Sequence, residues 1–492
     1  MDLARRSDLV LHANPRRVMC RIFIPGEEEL IRGRSRAKTV VDRCLELPEE
    51  VVMSELDQTL ADFEPRHRDL VSEFELHFAA VSGLVDSSVQ VSEHRRLLIG
   101  AYLTQEYAFE ATAYFNPSMV MHPDQSGVSH GSLRFLMSVR AVGEGHISSL
   151  VFRSGIIGPD GSVTVDPASR FATTNAQRYS LLNSSRVRQV AELNQLDLEE
   201  LEFVLGMLPD QFTPQELEVS LTQLHSMRFH KPAEDPFTDV LQNIANSGYR
   251  VEFSADTDLS ERVLWPAAAN ERHGIEDARW VRIAGENGSP EYRATYTGFD
   301  GSSVTSRLLH THDFVKFSSH HLTGEGAANK GMALFPRPIN GQLTALSRWD
   351  RENISLAHSE DGYHWDVGPV VQHASRSWEL VHIGNCGSPI ELDNGWLVIT
   401  HGTGPMRRYA LSAILLDLDD PSVMKASLNA PLLTTLEEER DGYVPNVVYS
   451  CGGLLNEGHL VIPYGFSDCS TGFALVDLEQ LLASMEPNTR HH

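Results

Sequence analysis

Four turn dipeptides constrain this chain more than any other feature. Asn287-Gly288, Asn340-Gly341, Asn394-Gly395 and Glu457-Gly458 each separate two apolar, β-rich runs, and the glycines lie 53, 54 and 63 residues apart. A two-residue hairpin turn that matches strand twist needs positive φ at both central positions, which Asn-Gly accepts readily. A fifth hairpin with a longer polar loop is read upstream in FNPSMVMHPDQSGVSHGSLRFLMSVR, from Phe115 to Arg140. Repetition at such a period marks stacked copies of one small sheet. Five hairpins predict a mainly β chain folded as a five-bladed β-propeller.

The strands leaving these turns end in SVR, TGFD, SRWD, THG and YGFSD. In a propeller, equivalent strand ends meet at one mouth of the central channel. Arg140, Asp300, Arg348, His401 and Asp468 are therefore expected to line one funnel.

Two stretches break the pattern. Before residue 109 a short strand-like start gives way to helical periodicity: Val52, Leu56, Leu60 and Phe63 recur on one face of PEEVVMSELDQTLADF, with Pro48 suited to the first turn. HRDLVSEFELHFAAVSGL reads as a second helix. Between about 170 and 260, LDLEELEFVLGMLP reads as a helix capped by Asp197. TPQELEVSLTQLHSMR follows as a helix with Thr213 at the cap, Pro214 first and Glu216 completing a capping box. The expected organisation is an N-terminal helical accessory region (1–108), a catalytic propeller (109–485) holding a helical insertion (170–260) between the first blade and the GIEDARW segment, and a tail (486–492).

Charge narrows the partners. With 41 Lys+Arg against 67 Asp+Glu and a net charge of −26, the chain lacks the basic footprint that nucleic acid or an anionic membrane requires. Five scattered cysteines without a CxxC spacing suit reduced thiols. The N-terminus has no apolar core of a signal peptide, and no long apolar run follows, so a cytoplasmic location is expected. HExxH and other metal-ligand spacings are missing, and no metal or organic cofactor is expected.

An acidic protein that handles an anion needs a local cluster of cations. Lys330, Arg348, His382 and His401 all fall at blade boundaries, with Tyr409 close behind, and together they suit an anion of phosphate size. GIEDARW (274–280) poses a separate question, because Glu276 and Asp277 are adjacent. In an extended segment their side chains point to opposite faces, so only one is expected to face a cleft.

The segments FNPSMV, SVRAVGEGHISSL, GIEDARW, NKGMALFPRPINGQ, IGNCGSPIELDNGWLVITHG, LSAILLDLDDPS and DGYVPNVVYSCGG, in this order and spacing, resemble glycoside hydrolase family 130. The family comprises β-mannoside phosphorylases and related β-mannosidases on a five-bladed propeller. The resemblance covers residues 110 to about 485 without the insertion, and the extra helical parts look like a long variant. It implies that Asp277, matching the aspartate of the family's Glu-Asp-Pro-Arg segment, is the general acid. The proton would reach the glycosidic oxygen through the mannose 3-hydroxyl. Asn116 and Arg140 match positions that hold the cleaved sugar, and Pro445, Asn446 and Asp468 match the other end of the substrate site. Lys330, Arg348, His382, His401 and Tyr409 fall on phosphate-binding positions.

Three positions depart from the family pattern. Ala278 replaces the proline, Lys330 stands where some members carry arginine, and His382 stands where phosphorylases commonly carry lysine. His382 would hold phosphate strongly only as imidazolium. The hydrolytic members resemble each other in placing carboxylates in this region to activate water, and no Glu or Asp occupies the matched positions here. The expected activity is thus inverting phosphorolysis of a β-mannoside to α-mannose 1-phosphate, with inorganic phosphate as co-substrate. The alternatives are a β-mannosidase and a catalytically silent carbohydrate-binding propeller. Homo-oligomerisation through the helical additions is a further expectation.

Overall fold

The computed structural model describes residues 3–25, 35–174, 176–179, 182–184, 187, 188, 191, 196–212, 214–227, 237, 238, 241, 248–285 and 288–488. The chain is mainly β. Its strands form consecutive antiparallel groups, each built around one of the hairpins read from sequence. Ala113–Met121, Leu133–Val142 and Ser148–Ile157 make the first. Gly274–Ala284, Pro290–Phe299, Val304–Thr311 and Lys316–His321 make the next, extended by Tyr249–Phe253. Ala333–Leu334 through Asp366–Gln372 form a four-stranded sheet, followed by one centred on Gly395–Thr403 and Tyr409–Leu416. The last pairs His459–Phe466 with Ser470–Asp477.

Apolar residues alternate along these strands and pack each sheet on its neighbour. Val120, Leu136 and Phe152 meet Trp280, Tyr292 and Phe317, which joins the first group to the second. Val281 and Leu308 meet Met332 and Ala357, and Leu346 and Leu356 meet Val398 and Ile414. Leu411 and Ala413 meet Ile462 and Ala474. Phe135 and Met137 meet Val461 and Phe473, so the last sheet packs back on the first. The first two groups also touch by a parallel bridge, Gly274 to Ser148. Gly274 has φ +146, and a β-carbon there would lie 2.2 Å from the Ser148 hydroxyl. Only glycine lets the two sheets approach so closely.

The turns differ among themselves. Asn340 and Gly341 have φ +50 and +82, and Glu457 and Gly458 +45 and +76, as a hairpin turn with two left-handed residues requires. Asn394-Gly395 is a correction. Leu392 pairs with Gly395, so the turn is Asp393-Asn394 and the glycine already opens the next strand. Asn287 lies outside the described residues.

The helices follow their local signals. Glu49–Phe63 forms with Pro48 at the cap itself, one position earlier than the first turn expected for it. Leu70–Val81 follows, capped by Asp69; Arg36–Glu46 and Glu93–Tyr102 were not anticipated. Leu198–Gly206 is capped by Asp197, whose carboxylate accepts from the backbone of Glu199 and Glu200. Pro214 opens the helix to Met227, while its expected cap Thr213 lies outside the described residues. These two helices share a core of their own with Phe212. No described helix is long and apolar enough to cross a membrane. The N-terminal residues do more than lead into helices: Ala4–Arg6 pairs with Ala474–Val476 and becomes the edge strand of the last sheet.

Candidate active site

Asp277 and Asn116 occupy facing irregularities in two adjacent sheets. The register of Gly274–Ala284 against its partner slips between Glu276 and Arg279, and that of Ala113–Met121 slips between Phe115 and Ser118. Asp277 and Asn116 sit at these bulges with φ +55 and +52. Asp and Asn tolerate the left-handed region better than other side chains, and such residues cluster where function over-determines the backbone. Asn116 Nδ2 donates to Asp277 Oδ1 at 2.8 Å.

The bulge overturns the expectation that Glu276 and Asp277 face apart. Arg140 Nη2 donates to Glu276 Oε1 at 2.7 Å, and Nη1 of the same guanidinium lies 3.5 Å from Asp277 Oδ1. Left-handed geometry at Asp277 breaks the period of two, so both carboxylates reach one arginine.

Eight of the residues singled out from sequence line one cavity. They are Asn116, Arg140, Asp277, Asp468, Lys330, Arg348, His401 and Tyr409. His382 stands outside this lining, with its ring centroid 6.0 Å from His401 and 5.7 Å from Tyr409. Its Nε2 meets Thr403 Oγ1 at 3.1 Å. Pro445 is exposed. Asn446 turns its amide away, accepting from Arg440 Nε at 2.8 Å, while its carbonyl holds the Tyr409 amide at 3.0 Å. Asp300 does not join the funnel: its carboxylate closes its own turn on Ser302 and Ser303.

Sequence reasoning missed four residues. Arg407 and Tyr449 line the cavity, and Glu276 ties Arg140 to Lys330, whose Nζ is 3.8 Å from Glu276 Oε2. Arg279 lies buried beneath, donating to Tyr449 Oη at 2.7 Å, Cys386 O at 3.1 Å and Asp277 O at 3.2 Å. An arginine between Ala278 and Trp280 in a buried strand was the available signal, since a buried guanidinium must find acceptors.

Electrostatics separates the two carboxylic acids. Burial pushes Asp277 up, but Arg140, Lys330, Arg279 and the Asn116 hydrogen bond outweigh it and hold the group below the usual range. Asp468 is pushed up to about 6 by burial and by the charge of Asp277, against the pull of Arg140. The histidines go the other way. Burial, then Arg348, Arg407 and Lys330, push His382 down to about 4. Burial and Arg348 hold His401 well below its ordinary value. Arg348 Nη1 lies 3.3 Å from His401 Nε2, so that nitrogen accepts and the ring proton sits on Nδ1. The positive charge of the cavity therefore comes from lysine and arginine, and the imidazoles are neutral. Among the described residues no group of three or more His, Cys, Asp or Glu is placed to hold a metal ion.

The sequence profile of the glycoside hydrolase 130 family, described as β-1,4-mannooligosaccharide phosphorylase, matches residues 236–487. The chain belongs to this family. The match begins after the first hairpin, so Asn116 and Arg140 lie outside it. A 1,2-β-oligomannan phosphorylase of Thermoanaerobacter is 32% identical over 45% of this chain and 75% of its own length. A β-1,2-mannobiose phosphorylase of the same organism is 32% identical over 48% of this chain and 79% of its own length. The solved β-1,2-mannobiose phosphorylase of Listeria innocua is 20% identical, with a TM-score of 0.45 over 76% of this chain and 92% of that one.

Proposed function

We propose that this family member is an inverting β-mannoside phosphorylase that yields α-mannose 1-phosphate. The observation that carries the reading is one cavity that gathers Asp277, Asn116 and Arg140 with Lys330, Arg348, Arg407 and Tyr409. A dianionic phosphate needs charge neutralisation and positioning rather than deprotonation, and that is what these cations offer. An inverting hydrolase needs a free carboxylate to activate water on the face opposite the acid. Glu276 is engaged by Arg140 and Lys330, and Asp468 interacts with Arg140, Arg407 and Lys330, so neither is a free base.

A phosphate oxygen held by these cations attacks the anomeric carbon on the face opposite the departing oxygen. The bond from that carbon to the glycosidic oxygen breaks, and the oxygen takes a proton that originates on Asp277 and passes through the sugar 3-hydroxyl. Configuration inverts from β to α, and the reaction balances without a cofactor. Asp277 must carry a proton to act, yet the neighbouring cations and Asn116 hold it ionised. Phosphate resolves this, because two negative charges beside Lys330 and the arginines offset the field that lowers Asp277.

The sheets that pack in sequence and return to the first are read as five propeller blades over 109–485, with the helices of 1–108 and 170–260 as additions. A phosphorylase conserves its bond energy as a sugar phosphate that is useful only where it is retained, which favours a cytoplasmic site of action. The test is incubation with β-1,2- and β-1,4-linked mannobiose and longer chains, with and without phosphate. Mannose 1-phosphate appearing only with phosphate is the expected result; free mannose at equal rates in both would make the protein a β-mannosidase.

A further inference from the structure

A second cavity, of about 470 Å³, stands back to back with the candidate active site. Two segments form the partition. Arg407 and Tyr409 face the first cavity while Arg408 and Ala410 face the second, and Val447 faces the first while Asn446 faces the second. This is the alternation of extended chain dividing two spaces. The loop Gly404–Met406 forms the rim, with Met406 at φ +58 and 89% exposed.

The second cavity pairs a fixed aromatic ring with unengaged donors. Trp378 is held by its Nε1 donating to Asn429 O at 3.0 Å and by close packing on Gly402 and Gly404. Arg408 forms no ion pair among the described residues, and Arg440 engages only the Asn446 amide through Nε. No carboxylate lines the space. Leu380 and Val381, beside His382 in sequence, leave 62% and 60% of their surface exposed, and the Val381 amide donates to Thr403 O at 3.0 Å, one residue before Gly404. A pyranose presents an apolar C–H face and a fringe of hydroxyls, which an indole and forked N–H donors complement.

We propose that this cavity is a distal site for a neutral β-linked oligosaccharide, holding the far sugars of a chain whose end occupies the catalytic pocket. The proposal rests on the phosphorylase reading above. The chain crosses the Pro405–Arg407 rim, so binding there makes longer substrates tighter without touching the scissile bond.

The test uses the full-length Asp277→Asn protein, titrated calorimetrically with mannooligosaccharides from disaccharide to hexasaccharide. Affinity is expected to rise by about tenfold with length, on the order of one aromatic stacking contact. Trp378→Ala and Arg408→Ala, each added to that protein, are expected to abolish the rise and leave disaccharide affinity within about twofold. Arg408 is exposed, so its replacement carries the test if loss of Trp378 harms folding. Length-independent binding in a protein whose parent phosphorolyses mannosides overturns this proposal alone, as does equal loss for short and long chains. No binding at any length, with no phosphorolysis by the parent, overturns the phosphorylase reading and the distal site together.

Discussion

At Asp277 the backbone does as much as the carboxylate. Its left-handed conformation aims the group at Asn116 and Arg140, and the same strained region recurs at Arg407, Asn446 and Asp468. Asp277→Asn keeps the shape but cannot deliver a carboxyl proton. Turnover of natural mannosides should fall by about 10²–10⁴-fold, with activated aryl mannosides much less affected. Unchanged turnover on natural substrates would remove the assignment. Charge coupling gives a second prediction. On the phosphorylase reading, phosphate beside Lys330 and the arginines raises the pKa of Asp277, so proton uptake at Asp277 should offset part of the proton release that accompanies binding of the dianion. Calorimetry in buffers of different ionisation enthalpy measures the net exchange, and Asp277→Asn should remove the offset. His382 gives a third. Because its imidazole is neutral above about pH 4, His382→Gln should change the Michaelis constant for phosphate by less than about threefold, whereas an imidazolium contact would be worth at least about tenfold.

At the scale of elements, identical dipeptides have different backbones. Asn340 is left-handed and its side chain donates to Asp419 O at 3.1 Å, while Asn394 has negative φ and faces solvent. Asn340→Ala should therefore destabilise the protein by about 1–2 kcal/mol, and Asn394→Ala by less than about 0.5 kcal/mol. Urea unfolding of both variants measures the contrast, and equal effects would refute the assigned turn geometries. Helix starts were readable where a side chain caps its own backbone, as at Asp197. The bulges at Asn116 and Asp277 were not, because the signal for a bulge is the register of the partner strand. Sequence spacing alone thus put Glu276 and Asp277 on opposite faces.

For the whole molecule, the first residues matter to the last sheet. Arg6 donates to both oxygens of Glu439, at 2.8 and 3.0 Å, and Tyr464 donates to Oε1 at 2.6 Å. Glu439 is buried, so Arg6→Ala leaves its charge without its cation. The expected loss is about 3 kcal/mol, the low end for breaking a buried pair, since Arg6 is itself partly exposed. Glu439 is held below the usual carboxylate range, although burial alone would raise it, by hydrogen bonds from Arg6 and Tyr464. Its contribution should be present at neutral pH and fade as pH falls through the acid range, so native and Arg6→Ala proteins should converge in stability there. A difference that persists undiminished at low pH would assign the effect to packing.

The sequence by itself determined the mainly β character, the spacing of the hairpins, the helix cap at Asp197 and the residues Asp277, Lys330, Arg348, His401 and Tyr409 that meet in one cavity. The cap is local and the hairpins recur at a nearly fixed period, so short-range physics records them, whereas Asp277 was singled out by the resemblance of its segment to the family. Tertiary structure decided the rest. It paired the N-terminal strand with Ala474–Val476, placed Arg279 under the site, moved Asn446 to a neighbouring cavity and left Asp300 in its own turn. It also set the charge states, making the histidines neutral and splitting Asp277 from Asp468, because a pKa depends on which charges and how much water surround a group after the sheets have closed on it.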